Sequence, residues 1–177
     1  YITTPDTADL SFTSGGMSIA ALANVTNTVA LRRLLCRIDV GGSEYELNIS
    51  GADLLTLDLI DQSAGFTVRA RADAAVTMGA VEVFFGQCSD VAAGATTANG
   101  MEVFEGSVQF TSTKTNNAGF VAPEDLAIVT SIGAAGDGGG PMDGSMGFAA
   151  VWAVVLSAAQ KAAVIVAVNR YFGTALT

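Results

Sequence analysis

The chain reads as an all-β protein: a two-sheet antiparallel sandwich of jelly-roll type, closed by one C-terminal α-helix. Two patterns predict this. Short apolar runs recur along the chain, several alternating apolar and polar with period two, and Gly, Asn, Asp and Pro punctuate them. Only the last stretch switches to the i, i+4 spacing of a helix. Composition adds that half of the 177 residues are hydrophobic and 14% are charged. That is enough for one sizeable core, is not the signature of disorder, and is short for two domains. Residues 1–177 are therefore taken as one domain.

The elements follow in order. Residues 17–23 form a strand after the turn signal Ser14-Gly15-Gly16, and residues 34–40 form another, closed by Gly41-Gly42. Residues 45–50, 55–59 and 66–71 alternate with period two and make a meander of hairpins. Leu55, Leu57 and Leu59 then share a buried face while Thr56 and Asp58 point outward. A sheet with one apolar face must cover it with a second sheet. Residues 81–85, 101–104 and 108–111 supply strands for that layer, with loops at 87–100 and 113–123. Residues 126–132 are a further strand, 133–140 a flexible Gly-rich stretch, and 146–155 a last strand. Being almost wholly apolar, that last strand is expected at the centre of its sheet.

The helix spans about 157–172. Ser157 and Gln160 fit a capping box, and Gly173 suits the residue that ends the helix. Val164, Val168 and Phe172, with Ile165, form the expected buried stripe, and Ser157, Gln160 and Lys161 its start and polar side. These polar residues fall in the middle of the apolar stretch 146–168, which argues against membrane insertion. Residues 1–10 contain Asp6 and Asp9 and no apolar segment of signal-peptide type.

Charge and residue type exclude several functions. Asp and Glu number 17 against 8 Lys and Arg, a net charge of −9, and the largest basic cluster is Arg32-Arg33. Such a surface repels phosphate backbones and anionic lipid, so no nucleic-acid partner is expected. There is no histidine, which removes Ser–His and Cys–His nucleophile pairs, the usual general base and most zinc sites. Cys36 and Cys88 lie in apolar stretches and read as two buried thiols, with a single disulfide as the alternative.

The order of pieces resembles laminin G-like domains of the concanavalin A-like lectin and glucanase superfamily. The opening Tyr1-Ile2-Thr3-Thr4-Pro5-Asp6-Thr7-Ala8-Asp9-Leu10, the pair Leu34-Leu35-Cys36-Arg37 and Tyr45-Glu46-Leu47, and the hairpin Asn99-Gly100-Met101-Glu102-Val103-Phe104-Glu105-Gly106 carry the likeness. So do Ser131-Ile132-Gly133, Met142-Asp143-Gly144-Ser145-Met146-Gly147 and the helix start Leu156-Ser157-Ala158-Ala159-Gln160. The Tyr171-Phe172-Gly173 close is similar to copies carried by phage and bacterial surface proteins. Two family positions that hold Trp are occupied differently, by Ala23 and by Gly79-Ala80-Val81-Glu82.

The resemblance implies a sandwich rim that can hold calcium, for which Asp137, Asp143 and Asp90 lie in suitable loops. Turn-forming aspartates are the plainer reading. Asn99, Thr96, Asn116 and Asn117 are the candidate binding residues of the two long loops. The glucanases of the superfamily need paired carboxylates on one face. Asp53, Asp58 and Asp61, or Glu102 with Glu105, are the nearest approach; Glu102 and Glu105 point to opposite faces, and Asp58 reads as part of a solvated face. No catalytic residue is assigned.

Three functions follow. The first is a non-catalytic structural, decoration or adhesion module on a virion or other extracellular surface, in contact with copies of itself or with a capsid or tail protein. The second is a lectin-like module that binds a glycan; the third, disfavoured, is a glycoside hydrolase.

Overall fold

Period-two alternation gives each strand one side for a core and one for something else, and the computed structural model, which describes residues 1–26 and 30–176, shows what that something else is. Twelve strands are formed: β1 (Ile2–Thr4), β2 (Met17–Val25), β3 (Arg32–Asp39), β4 (Gly42–Ile49), β5 (Leu55–Asp61), β6 (Phe66–Ala72), β7 (Val81–Cys88), β8 (Met101–Glu105), β9 (Val108–Gln109), β10 (Ser112–Thr115), β11 (Thr130–Ile132) and β12 (Gly144–Trp152). Helix α1 (Ala158–Phe172) follows. The strands build a seven-stranded sheet, β1-β11-β3-β4-β5-β6-β10, and a five-stranded sheet, β12-β2-β7-β8-β9, antiparallel throughout.

The main core lies between the sheets. Leu47, Leu57 and Val68 of the larger sheet meet Ile19, Phe84 and Val103 of the smaller, all fully buried. Gly86 lets the layers approach: a Cβ there would lie 3.0 Å from Leu47 and 3.2 Å from Leu57. Leu55, Leu57 and Leu59 are buried on one face, and Thr56 and Asp58 occupy the other, as the alternation predicts. A second, smaller cluster lies on the outer side of the five-stranded sheet. There Leu22, Val83, Phe85 and Phe104 pack under Leu156, Ile165 and Val168.

Several expectations need correction. The loop 87–100 is shorter than expected, because β7 runs on to Cys88 and Gly94–Gly100 forms a 3-10 helix. The loop 113–123 contains β10, which pairs with β6 through Ser112–Thr115; its polar sequence is that of an edge strand with one wet face. The strand at 126–132 shrinks to β11. The last strand is not central: β12 is an edge. It is apolar because Ala149 and Val151 face the main core while Phe148 and Trp152 face α1. Burial of both faces does not require neighbours on both edges.

The helix is capped as predicted. Gln160 N donates to Ser157 Oγ (3.3 Å), Ser157 N donates to Gln160 Oε1 (2.8 Å), and Gly173 adopts φ 67°. Its buried stripe, however, is Lys161, Ile165 and Val168, while Phe172 is 40% exposed. Lys161 is buried because α1 crosses β7 and β8. Its Nζ donates to Gln87 Oε1 (3.1 Å) and to Leu156 O (3.4 Å) and sits 3.8 Å above the Phe104 ring. Cys36 and Cys88 are free thiols on different sheets. Burial pushes the first up to about 12 and the second up to about 11. Among the described residues, no helix is long and apolar enough to cross a membrane.

Candidate functional site

The meander sets the site. Strands β3 to β6 are consecutive hairpin partners, so their outward residues line up in rows across the larger sheet. One row runs Arg33, Asn48, Thr56, Arg71, Thr113. The next runs Ser131, Cys36, Glu46, Asp58, Arg69, Thr115. Cations stand toward the ends of these rows and carboxylates at the centre. The two rows carry three arginines and two acids, and Asp73 joins them at the edge, where its Oδ1 accepts from Thr113 Oγ1 at 2.7 Å.

The central groups are closely held. Arg69 grips Asp58 with a two-pronged contact, Nε to Oδ1 at 2.6 Å and Nη2 to Oδ2 at 2.8 Å. This is the planar pairing that guanidinium and carboxylate geometry favour. Asn48 Nδ2 also reaches Asp58 Oδ2 at 3.4 Å. Arg33 Nε donates to Glu46 Oε2 at 2.7 Å. Glu46 lies directly opposite Asp58 on the adjacent strand. Burial first, then the Asp58 charge, raise the Glu46 carboxyl to about 7, against the opposing pull of Arg33. Hydrogen bonding to Asp58 is the chief cause that keeps Arg69 charged, raising its pKa further. Asp58 is 1% exposed. The expected solvated face is thus wrong for this residue, because flanking arginines cover it.

Arg71 differs from its neighbours. It is exposed, and no carboxylate faces it in its row, where Thr56 and Thr113 flank it. The opposite end of the face is walled by residues 133–140. Arg33 N donates to Gly140 O (3.0 Å), Cys36 Sγ to Ala134 O (3.4 Å), and a Cβ on Gly140 would lie 2.6 Å from the Arg33 guanidinium.

A second charged cluster is structural. The bulge in the β3–β4 pairing leaves Glu44 unmatched and turns its carboxylate to Arg37. Arg37 Nε lies 3.0 Å from Glu44 Oε2 with both side chains fully buried, and Nη2 donates to Asp6 Oδ1 and Leu126 O, each at 2.8 Å. This cluster ties the N-terminal segment and residue 126 to the sheet.

The loop residues expected to bind serve local geometry. Asp90 Oδ1 accepts from Ala92 N, Asp137 Oδ1 from Gly139 N, and Asp143 Oδ1 from Thr26 Oγ1. The structure does not bring these three aspartates together, and the described residues contain no group of three or more His, Cys, Asp or Glu able to hold a metal. Asn116 does meet Asn99, Nδ2 to Oδ1 at 2.8 Å, and its Oδ1 accepts from Ala98 N. Thr96 Oγ1 donates to Ala93 O and Asn117 Oδ1 accepts from Gly119 N.

Glu46 and Asp58 stand side by side on one face, a pairing not among the candidate acids Asp53, Asp58, Asp61, Glu102 and Glu105. The signal was present: registering the hairpin 45–50 against 55–59 sets Glu46 across from Asp58, and 66–71 then brings Arg69 beside it.

No family model matches the chain, and no curated protein matches it. Solved structures do. The CBM40 of the Ruminococcus gnavus IT-sialidase bound to alpha2,3 sialyllactose is similar over 90% of this chain and 90% of its own, with TM-score 0.60 and 17% identity. The same CBM40 bound to alpha2,6 sialyllactose is similar over 92% of this chain and 97% of its own, with TM-score 0.58 and 16% identity. The K499G mutant of NanB sialidase from Streptococcus pneumoniae matches 90% of this chain but only 27% of its own, with TM-score 0.57 and 8% identity. At these identities the likeness shows the fold alone, a two-sheet antiparallel jelly-roll sandwich. It lends no support to a phage or virion origin.

Proposed function

We propose that this protein is a non-catalytic carbohydrate-binding module, and that the outer face of the seven-stranded sheet takes an acidic sugar of the sialic acid kind. The observation that carries the reading is Arg71, exposed and unmatched by a carboxylate on a face where Arg33 and Arg69 are each neutralised. A guanidinium in that position offers a planar fork to a ligand carboxylate. Exposed Thr113 opposite it, and exposed Thr115 opposite Arg69, offer hydroxyls. The two rows contain no aromatic side chain, so a neutral pyranose would find no ring to stack on. The two similar CBM40 structures hold sialyllactose, and this supports the same ligand class here.

A hydrolase reading fits the central acids poorly. Both oxygens of Asp58 are taken by Arg69, and Glu46 Oε2 is taken by Arg33, so neither carboxylate is free to act on a substrate.

The test is titration of the protein with alpha2,3 sialyllactose, alpha2,6 sialyllactose and lactose by isothermal calorimetry. The expected result is saturable binding of a sialylated trisaccharide, none of lactose, and a weakening of about tenfold or more on Arg71→Ala. Equal binding of lactose, or an unchanged affinity in Arg71→Ala, would overturn the site. Release of free sugar would overturn the non-catalytic assignment.

A further inference from the structure

β12 pairs with β2 along one side, and among the described residues no strand pairs with its other edge. Natural edges of this length are usually blunted by Lys, Pro or a covering loop. Neither Gly144–Trp152 nor β2 behind it contains a charged residue or a proline. A bulge between Met146 and Phe148 interrupts the edge once, and from Phe148 to Trp152 the register is regular.

Apolar surface gathers along this edge. A groove of about 520 Å³ runs between β12 and α1, lined by Phe148, Trp152, Val164, Val168, Tyr171 and Phe172. Two smaller grooves, of about 350 and 240 Å³, meet β12 at Met146. The smaller opens on Tyr1 and Ile2. Tyr171 is 83% exposed, Tyr1 69% and Ile2 66%. Contiguous apolar surface of this kind marks an interaction site.

We propose that this flank is the contact surface of a symmetric dimer, in which β12 pairs antiparallel with β12 of a second copy of the chain. Charge selects the occupant. Two chains of −9 repel each other wherever acids face acids, and no Asp, Glu, Lys or Arg side chain lines these grooves. A strongly charged partner, conversely, meets no counter-charge here. Geometry agrees, because a strand paired antiparallel with its own copy is two-fold symmetric by construction. Centred on Ala150, the pairing sets Phe148 opposite Trp152 of the second copy, twice. Both residues project to the α1 side, so the contact is an aromatic cross-strand pair. The size also fits. Nine residues of strand give an edge of about 30 Å, and sandwich plus helix a width of about 20 Å. The resulting face, on the order of 600 Å², approaches the roughly 800 Å² per partner of stable complexes.

Sedimentation equilibrium of the whole chain over a range of concentrations tests this. A dimer is expected, tighter at high salt because screening relieves the residual repulsion. Tyr171→Glu and Ala167→Glu alter exposed groove residues of α1. Each should raise Kd by about tenfold or more. Val40→Glu, at a 90% exposed site away from the grooves, should leave Kd unchanged. Ala150→Cys should give a disulfide-linked dimer on oxidation, since the native thiols are buried and two-fold neighbours on paired strands lie within bridging distance. A monomer at every concentration and salt, or a dimer insensitive to both Glu variants, would overturn the proposal. A dimer that Tyr171→Glu dissociates but Ala150→Cys fails to link would overturn the strand pairing.

Discussion

On the outer face of the five-stranded sheet, Leu22, Val83, Phe85 and Phe104 lie under a helix. On the outer face of the seven-stranded sheet, equivalent positions of the pleat hold Arg33, Glu46, Asn48, Asp58, Arg69 and Arg71. Both faces are buried in part, by different means. The first is closed by apolar side chains of α1, and its single cation, Lys161, needs Gln87, the Leu156 carbonyl and the Phe104 ring to sit there. The second is closed by its own charges, Arg33 lying against Glu46 and Arg69 against Asp58. An apolar face needs a lid of fixed shape. A face of paired charges has no lid, and an arginine left over remains available to solvent or ligand.

The contrast makes stability depend more on the first face than on the second. Phe85→Ala empties a fully buried site beneath α1, and should cost about 3–5 kcal/mol in chemical denaturation. Asp58→Ala removes the most buried acid of the other face, yet its partner Arg69 is 43% exposed and can turn to water. The expected loss is about 1–2 kcal/mol. Equal losses for the two variants would show that the charged face, too, is a sealed core.

The smallest effect is a pH slope. Burial and the Asp58 charge hold Glu46 near 7, above the ordinary 4.5. The folded protein therefore binds this proton more tightly than the unfolded chain. The stability it contributes is complete below pH about 4.5 and is lost as pH rises through about 7. Glu46→Gln should flatten the pH dependence of the denaturation midpoint across that window. If the slope survives, another group carries it; Glu44, raised chiefly by burial, is the next to examine.

Alternation made much of the fold legible. The Leu55, Leu57 and Leu59 face, the meander, the capping box at Ser157 and the Gly173 terminus are all local patterns, and the structure reproduces them. The site was half visible. Glu46, Asp58 and Arg69 could be placed on polar faces, but only register across two hairpins shows that they stand side by side. Loop residues such as Asp137 and Asn117 drew attention because loops often bind, whereas here they hold their own turns.

By itself, then, the sequence determined which residues alternate, where chains turn and where the helix starts and stops, because those depend on neighbours a few residues apart. Only the tertiary structure decided that Asp58 is buried beneath arginine, that Lys161 lies in an apolar stripe, and that β12 is an edge. Each of those depends on which segments, distant along the chain, come to lie beside one another. Period and composition report that a strand has two covered faces; they carry no information about whether a neighbour stands at its edge.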